Sequence, residues 1–140
     1  MQSVAGRVLA GYVAMGSELD PAAAMAQWDG PLCLPRVVGP DLPLDFGPWD
    51  QMHLLARGPY GIPEPSGQSI RPDILLVPCL GFDRNLMRLG QGGGFYDRTL
   101  QALRASGPVL AIGCAFACQE LSALPSLPHD ESLDMVVTER

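Results

Sequence analysis

Two short apolar runs bracket a glycine-rich turn and an amphipathic stretch in the second half of the chain, and this order restricts the fold more than any other feature. Asp73-Ile74-Leu75-Leu76-Val77-Pro78 reads as a buried strand, and Gly81-Phe82-Asp83-Arg84 follows it as a loop. Phe95 to Ser106 has helical spacing and stops at Gly107-Pro108, where glycine suits a helix end and proline cannot extend it. Val109 to Cys114 is a second apolar strand. Strand, glycine loop, helix and strand make a βαβ unit. Upstream, Val8 to Met15 reads as a strand, Pro21 to Trp28 as a helix and Leu32 to Pro35 as a strand; Met135 to Thr138 closes the series. Gly39 to Gly47 and the proline-rich Gly58 to Pro72 read as surface connections. The alternation predicts an α/β fold, a three-layer α/β/α sandwich around a mostly parallel sheet, in a single domain spanning 1–140.

The turn itself, Arg88-Leu89-Gly90-Gln91-Gly92-Gly93-Gly94-Phe95-Tyr96-Asp97-Arg98, has the construction of an anion cradle. Glycines let successive backbone N–H groups turn inward, and the helix N-terminus adds unpaired donors and the positive end of its dipole. Arg88 and Arg98 flank it with charge. Asp97, in the first helical turn, suits a divalent cation that bridges phosphates better than it suits a bare phosphate. In open α/β sheets ligands collect at the carboxyl ends of strands, where this turn falls. The chain contains no lysine, which excludes a P-loop, and about ten residues separate Pro78 from Gly90, too many for a dinucleotide-binding turn. On the residues alone, Asp97 is equally a helix-dipole partner, and Tyr96 a helix residue that packs its ring. Glu18 is equally an exposed acid ahead of a helix with Asp20 as N-cap and Pro21 at N1.

A chain of 140 residues can bury one core, and nothing in it resembles a signal peptide or a membrane span, so a cytoplasmic protein is expected. The net charge of −6 argues against nucleic-acid binding, although nine arginines can be focused locally. Cys33, Cys79, Cys114 and Cys118 form no CxxC pair, and three of them fall in or beside apolar strands, so buried reduced thiols are expected. His129 reads as a loop hydrogen-bonding residue, and His53 has no visible role.

DILLVPCLGFD, RLGQGGGFYDR and LPHDESLDMVVTE, in this order, resemble the 5-formyltetrahydrofolate cyclo-ligase (5,10-methenyltetrahydrofolate synthetase) family. The segments Tyr12 to Asp20, Leu32 to Arg36 and Tyr60 to Pro65 are also similar to family segments, so the resemblance covers nearly the whole chain. It implies a fold like that of the ribose-5-phosphate isomerase and coenzyme A transferase group. It also implies a ligase that uses ATP and Mg²⁺ to cyclise 5-formyltetrahydrofolate to 5,10-methenyltetrahydrofolate, releasing ADP and phosphate; apart from the resemblance, a monomer is expected, with the oligomeric state left open by the sequence. Position by position, the resemblance assigns Arg88, Leu89, Gly90, Gln91, Gly92, Gly93, Gly94, Phe95 and Tyr96 to the ATP phosphates, with Arg88 and Tyr96 as catalytic groups. It assigns Val13 and Glu18 to the folate, and Asp97 and Asp134 to Mg²⁺. Asp134 stands before its strand rather than after one, so geometry decides whether it meets Asp97.

Family members usually carry a few dozen more residues ahead of the position of Tyr12, with a lysine and an arginine that reach the ATP phosphates. Those two residues have no counterpart here, where Arg7 is the only basic residue before Arg36. A shortened domain with a weaker phosphate grip is therefore expected. This leaves a catalytically impaired folate- or nucleotide-binding relative, or a paralogue acting on another metabolite, as the alternatives.

Overall fold

The computed structural model describes residues 6–50, 55–90, 93–125 and 130–139. Their strands are β1 (Leu9–Ala10), β2 (Leu32–Arg36), β3 (Asp45–Trp49), β4 (Ala56–Arg57), β5 (Pro63–Glu64), β6 (Ile74–Pro78), β7 (Gly81–Phe82), β8 (Arg88–Leu89), β9 (Leu110–Cys114) and β10 (Met135–Val137). The helices are α1 (Ala22–Ala26) and α2 (Phe95–Ser106), with one 3₁₀ turn at Ala117–Gln119.

Six strands form one sheet in the order β10-β9-β6-β1-β2-β3. All neighbours are parallel except β2 and β3. The fully apolar β6 lies inside this sheet and is buried along its length, as a parallel strand covered on both faces requires. Alternation along the strands divides the core in two. Ala10, Cys33, Leu75, Val77 and Ala111 pack with Leu100 and Leu103 of α2. Leu9, Leu34, Ile74 and Leu76 pack with Met25 of α1 on the other face. One helix lies on each side, which gives the expected α/β/α layering.

Helix α2 has the bounds predicted from its punctuation. Gly94 at the N-cap has φ 69°, a left-handed conformation that an L side chain rarely adopts, and Gly107 supplies the C-cap. The guanidinium of Arg71 donates to the carbonyls of Leu103 and Gly107 and so caps the helix end from outside. Thr99, fully buried, donates through Oγ1 to the Phe95 carbonyl and accepts the Leu44 N–H at 2.8 Å, tying the helix to the chain that leads into β3. Thr99→Val preserves shape and takes the acceptor from that partly buried N–H. It is expected to lower the unfolding free energy by about 1–3 kcal/mol in urea titrations. An unchanged midpoint would mean that Leu44 finds another acceptor.

Several elements differ from expectation. The first strand keeps only Leu9–Ala10 in the ladder, because the chain turns away after Gly11, where the Met25 side chain fills the space a Cβ would need. Helix α1 is shorter than Pro21 to Trp28, and the Asp20 carboxylate accepts the Ala22 N–H at its start. The supposed loop from Gly39 to Gly47 runs into β3, which pairs antiparallel with β2 and buries Phe46. Pro48 fits there because β3 is an edge strand with no ladder beyond it. Arg36 secures this edge with a 2.7 Å ion pair to Asp45 and a bond to the Gly67 carbonyl. The connection from Gly58 to Pro72 contains β5, paired with β4.

The loop after β6 is a hairpin of β7 and β8 organised by the buried Asp83. Its carboxylate accepts N–H groups from Asn85, Met87 and Leu124 at 2.9, 3.1 and 2.8 Å. These amides, Leu124 first, hold its pKa below the ordinary carboxylate value. A depressed folded-state pKa means that the stabilisation is complete above the unfolded-state value and is lost as pH falls through the folded one. Urea midpoints taken downward through pH 3.8 should therefore fall more steeply for the wild type than for Asp83→Asn. Parallel curves would remove Asp83 from the acid transition.

Candidate active site

The sheet order reverses between β1 and β6. From β1 the chain crosses through α1 to β2 on one side; from β6 it crosses through α2 to β9 on the other. The two outgoing loops diverge to opposite faces and leave a crevice at the carboxyl ends of these strands, the usual ligand position in an open α/β sheet. A cleft of about 690 Å³ occupies this crevice, within the range of small-molecule sites.

The loop after β1 supplies one wall. Tyr12, Val13 and Glu18 line the cleft. The Tyr12 hydroxyl donates to the Leu19 carbonyl, and burial above all raises its pKa, so it stays protonated. Glu18 Oε1 accepts the Met15 N–H at 2.9 Å, which closes a tight turn and holds the carboxylate at the rim.

The opposite wall comes from β8 and the start of α2. Arg88, Gly90, Gly93, Gly94, Phe95, Tyr96 and Asp97 all line the cleft. Arg88 folds back toward the sheet: its Nε and Nη2 donate to the Pro78 carbonyl at 3.3 and 3.1 Å, and its guanidinium lies 5.3 Å from the Tyr96 ring centroid. Burial raises the Tyr96 pKa despite the nearby arginine, so this hydroxyl also remains a donor. No side chain caps the N-terminus of α2, so its first-turn N–H groups are not taken up by a capping side chain. Asp97 Oδ1 accepts the Glu131 N–H at 3.0 Å and anchors the segment before β10.

Some expected members are not brought together. Gln91 and Gly92 lie outside the described residues, as do His53 and His129. Leu89 sits in β8, half exposed, and is not part of the cleft lining. Arg98 does not line the cleft either; it donates to the Gly93 carbonyl at 2.9 Å and stacks 4.9 Å from the Phe95 centroid, bracing the glycine turn from behind. Asp134 is not part of the lining. Its carboxylate accepts the Ala111 N–H at 2.7 Å and pairs with Arg104 at 3.5 Å, near the amino end of β9. These bonds fix Asp134 between β9 and α2, three residues after Glu131, whose N–H Asp97 accepts.

Other lining residues had no role in the sequence reading. Tyr60, Ile62 and Glu64 come from the β4–β5 hairpin, with the Tyr60 ring edge-on to Phe95 at 5.7 Å. Glu64 Oε2 accepts the Val37 N–H at 2.8 Å and fixes the hairpin to the end of β2. Asp130 also faces in. The sequence signal available for the hairpin was an aromatic in a glycine-bounded turn, Gly58-Pro59-Tyr60-Gly61. The described lining thus holds the carboxyl groups of Glu18, Glu64, Asp97 and Asp130 against a single basic side chain, Arg88. Cys33 and Cys114 are buried free thiols whose pKa values burial pushes up to about 12 and about 11, which makes them packing groups.

A switch-point cleft combining a helix N-terminus, an arginine, carboxylates and two protonated phenols has the layout of a small-molecule site in an open α/β sheet. A profile of the 5-formyltetrahydrofolate cyclo-ligase family matches residues 5–139, and the chain belongs to that family. It is 33% identical over 148 aligned positions to the 5-formyltetrahydrofolate cyclo-ligase of Mycolicibacterium smegmatis, covering 96% of this chain and 75% of that protein. It is 44% identical over 68 positions to the Escherichia coli protein of the same name, covering 49% of this chain and 37% of the other. The solution structure of Aquifex aeolicus 5,10-methenyltetrahydrofolate synthetase superposes with a TM-score of 0.77 at 29% identity, covering 97% of this chain and 70% of that one.

Proposed function

We propose that this cleft binds ATP and 5-formyltetrahydrofolate and catalyses ring closure to 5,10-methenyltetrahydrofolate, releasing ADP and phosphate. Family membership, combined with a switch-point cleft lined by Arg88, the N-terminus of α2 and a carboxylate rim, supports this reading. In the reaction the formyl oxygen bonds to the γ-phosphorus as the bond to ADP breaks. N10 then bonds to the formyl carbon and loses its proton, and phosphate leaves with the former formyl oxygen. The protein's share is positioning and charge stabilisation. Gly93, Gly94 and the first-turn N–H groups of α2 receive the phosphates, with Arg88 and the Tyr96 hydroxyl as further donors. Glu18 accepts from the N–H donors of the pterin, beside Val13.

The excess of carboxylates over arginine in the described lining suits Mg²⁺, which takes one or two carboxylates together with phosphate oxygens and water. Asp97 would hold it, and the ion would neutralise charge on the phosphates. The reading extends to a monomer acting in the cytoplasm; no helix among the described residues is long and apolar enough to cross a membrane. The single basic residue in the described lining favours a second reading, a protein that binds folate or nucleotide with little turnover.

Mixing the chain with ATP, Mg²⁺ and 5-formyltetrahydrofolate should produce methenyl-folate absorbance. No absorbance together with calorimetric binding of folate would select the second reading, and neither signal would point to another metabolite.

A further inference from the structure

We infer that Gly90 is a positioning residue, whose missing side chain makes the seat for the Arg88 guanidinium. The other described glycines of the turn are required for different reasons. Gly94 has a left-handed φ, and a Cβ on Gly93 would meet the Phe95 ring at 2.9 Å. The φ of Gly90 is not in the left-handed range, so its backbone suits any residue. Its nearest obstacle is one group: a Cβ there would lie 2.3 Å from Arg88 Nη2, 2.9 Å from Cζ and 3.2 Å from Nη1. The guanidinium therefore passes directly against the bare Cα, held on its other sides by the Pro78 carbonyl and the face of Tyr96. Pro78 ends β6, so this seat references the one basic side chain of the described lining to the rigid sheet rather than to the loop that carries it.

A methyl group at position 90 would displace the end of a flexible side chain and leave the backbone in place. The fold should survive while Arg88 loses its seat. The kinetic consequence rests on the proposed phosphate role of Arg88; the geometric claim does not.

The test uses Gly90→Ala in the full chain, alone and combined with Arg88→Ala. In ¹⁵N NMR spectra, the Arg88 Nε–H of the wild type should be protected by its bond to the Pro78 carbonyl, and Gly90→Ala should abolish that protection at an unchanged Tm. Turnover should fall about 100-fold, the cost of an ångström-scale misplacement. In the Arg88→Ala background the second substitution should change turnover less than twofold, since the side chain it displaces is gone. Unchanged Nε–H protection, failure of Gly90→Ala to fold, or an equal loss in both backgrounds would each overturn the inference. Additive losses would mean that the loop backbone, independently of Arg88, needs glycine at this position. A wild type without cyclisation activity would defeat the proposed reaction, and the NMR comparison would still decide the seat.

Discussion

Arg88→Ala is expected to lower kcat/KM for ATP about a thousandfold while moving the melting temperature by only a few degrees. The loss is large because Arg88 is the single basic side chain of the described lining, facing a substrate with several negative charges. A positive group placed against a transferring phosphoryl commonly contributes about 10³-fold or more. The same figure follows from two charge-assisted bonds of about 2 kcal/mol each, since every 1.36 kcal/mol of barrier is tenfold in rate. Stability changes little because the Pro78 carbonyl, released by the substitution, opens onto the cleft, where water can replace the guanidinium. The stacking on Tyr96 is worth about 0.5–1 kcal/mol at a partly exposed site. Arg88→Lys should recover only part of the rate: it restores the charge, but an ammonium cannot bond the strand-end carbonyl and face the phosphates with a planar fork. A raised KM with unchanged kcat would show that Arg88 binds ground state and transition state equally, and would remove it from catalysis.

The parts of the fold that were legible in the sequence are those whose cause is local. The apolar run from Ile74 to Pro78 can only be buried on both faces, and Gly94 and Gly107 mark the ends of α2 through their own conformations. The parts that were missed depend on distant partners. Asp45 to Trp49, interrupted by Gly47 and Pro48, becomes a strand because β2 lies beside it and Arg36 grips Asp45. The β4–β5 hairpin joins the cleft through distant partners: Glu64 accepts the Val37 N–H, Arg36 reaches the Pro65 carbonyl and Tyr60 meets Phe95. At the site, Glu18, Gly90, Gly93 and Gly94, which the family resemblance singled out, line the cleft. Asp134 could not be placed from its motif, because its position depends on distant partners, the Ala111 N–H and Arg104. Arg98 misled for a related reason, since adjacency to the turn does not decide which side of it a side chain occupies.

Asp97 carries the proposed Mg²⁺ role from within the cleft lining, and Asp97→Asn is the sharpest test of that role. Asparagine keeps a side-chain oxygen in place of the Oδ1 that accepts the Glu131 N–H, so the anchor of the segment before β10 should persist. What it removes is the negative charge. A neutral amide oxygen at the first turn of α2 is a poor ligand for a hard divalent cation, whose preferred partners are carboxylate, phosphate and water oxygens. Turnover at saturating ATP is therefore expected to fall about 100-fold to 1,000-fold, the scale seen when one preorganised electrostatic contact to a developing charge is lost. Folate affinity should hold within about twofold, because Val13 and Glu18 approach from the opposite wall of the cleft. Raising the Mg²⁺ concentration should recover part of the rate in the variant and little in the wild type. The competing role for Asp97 is structural, as the acceptor for Glu131 alone, and it makes the opposite forecast. Asp97→Asn would then leave turnover intact, whereas Asp97→Ala, which deletes the acceptor, would lower stability and turnover together. Kinetics and melting curves of the two variants, measured side by side across a Mg²⁺ titration, decide between an ion-binding carboxylate and a helix-end anchor.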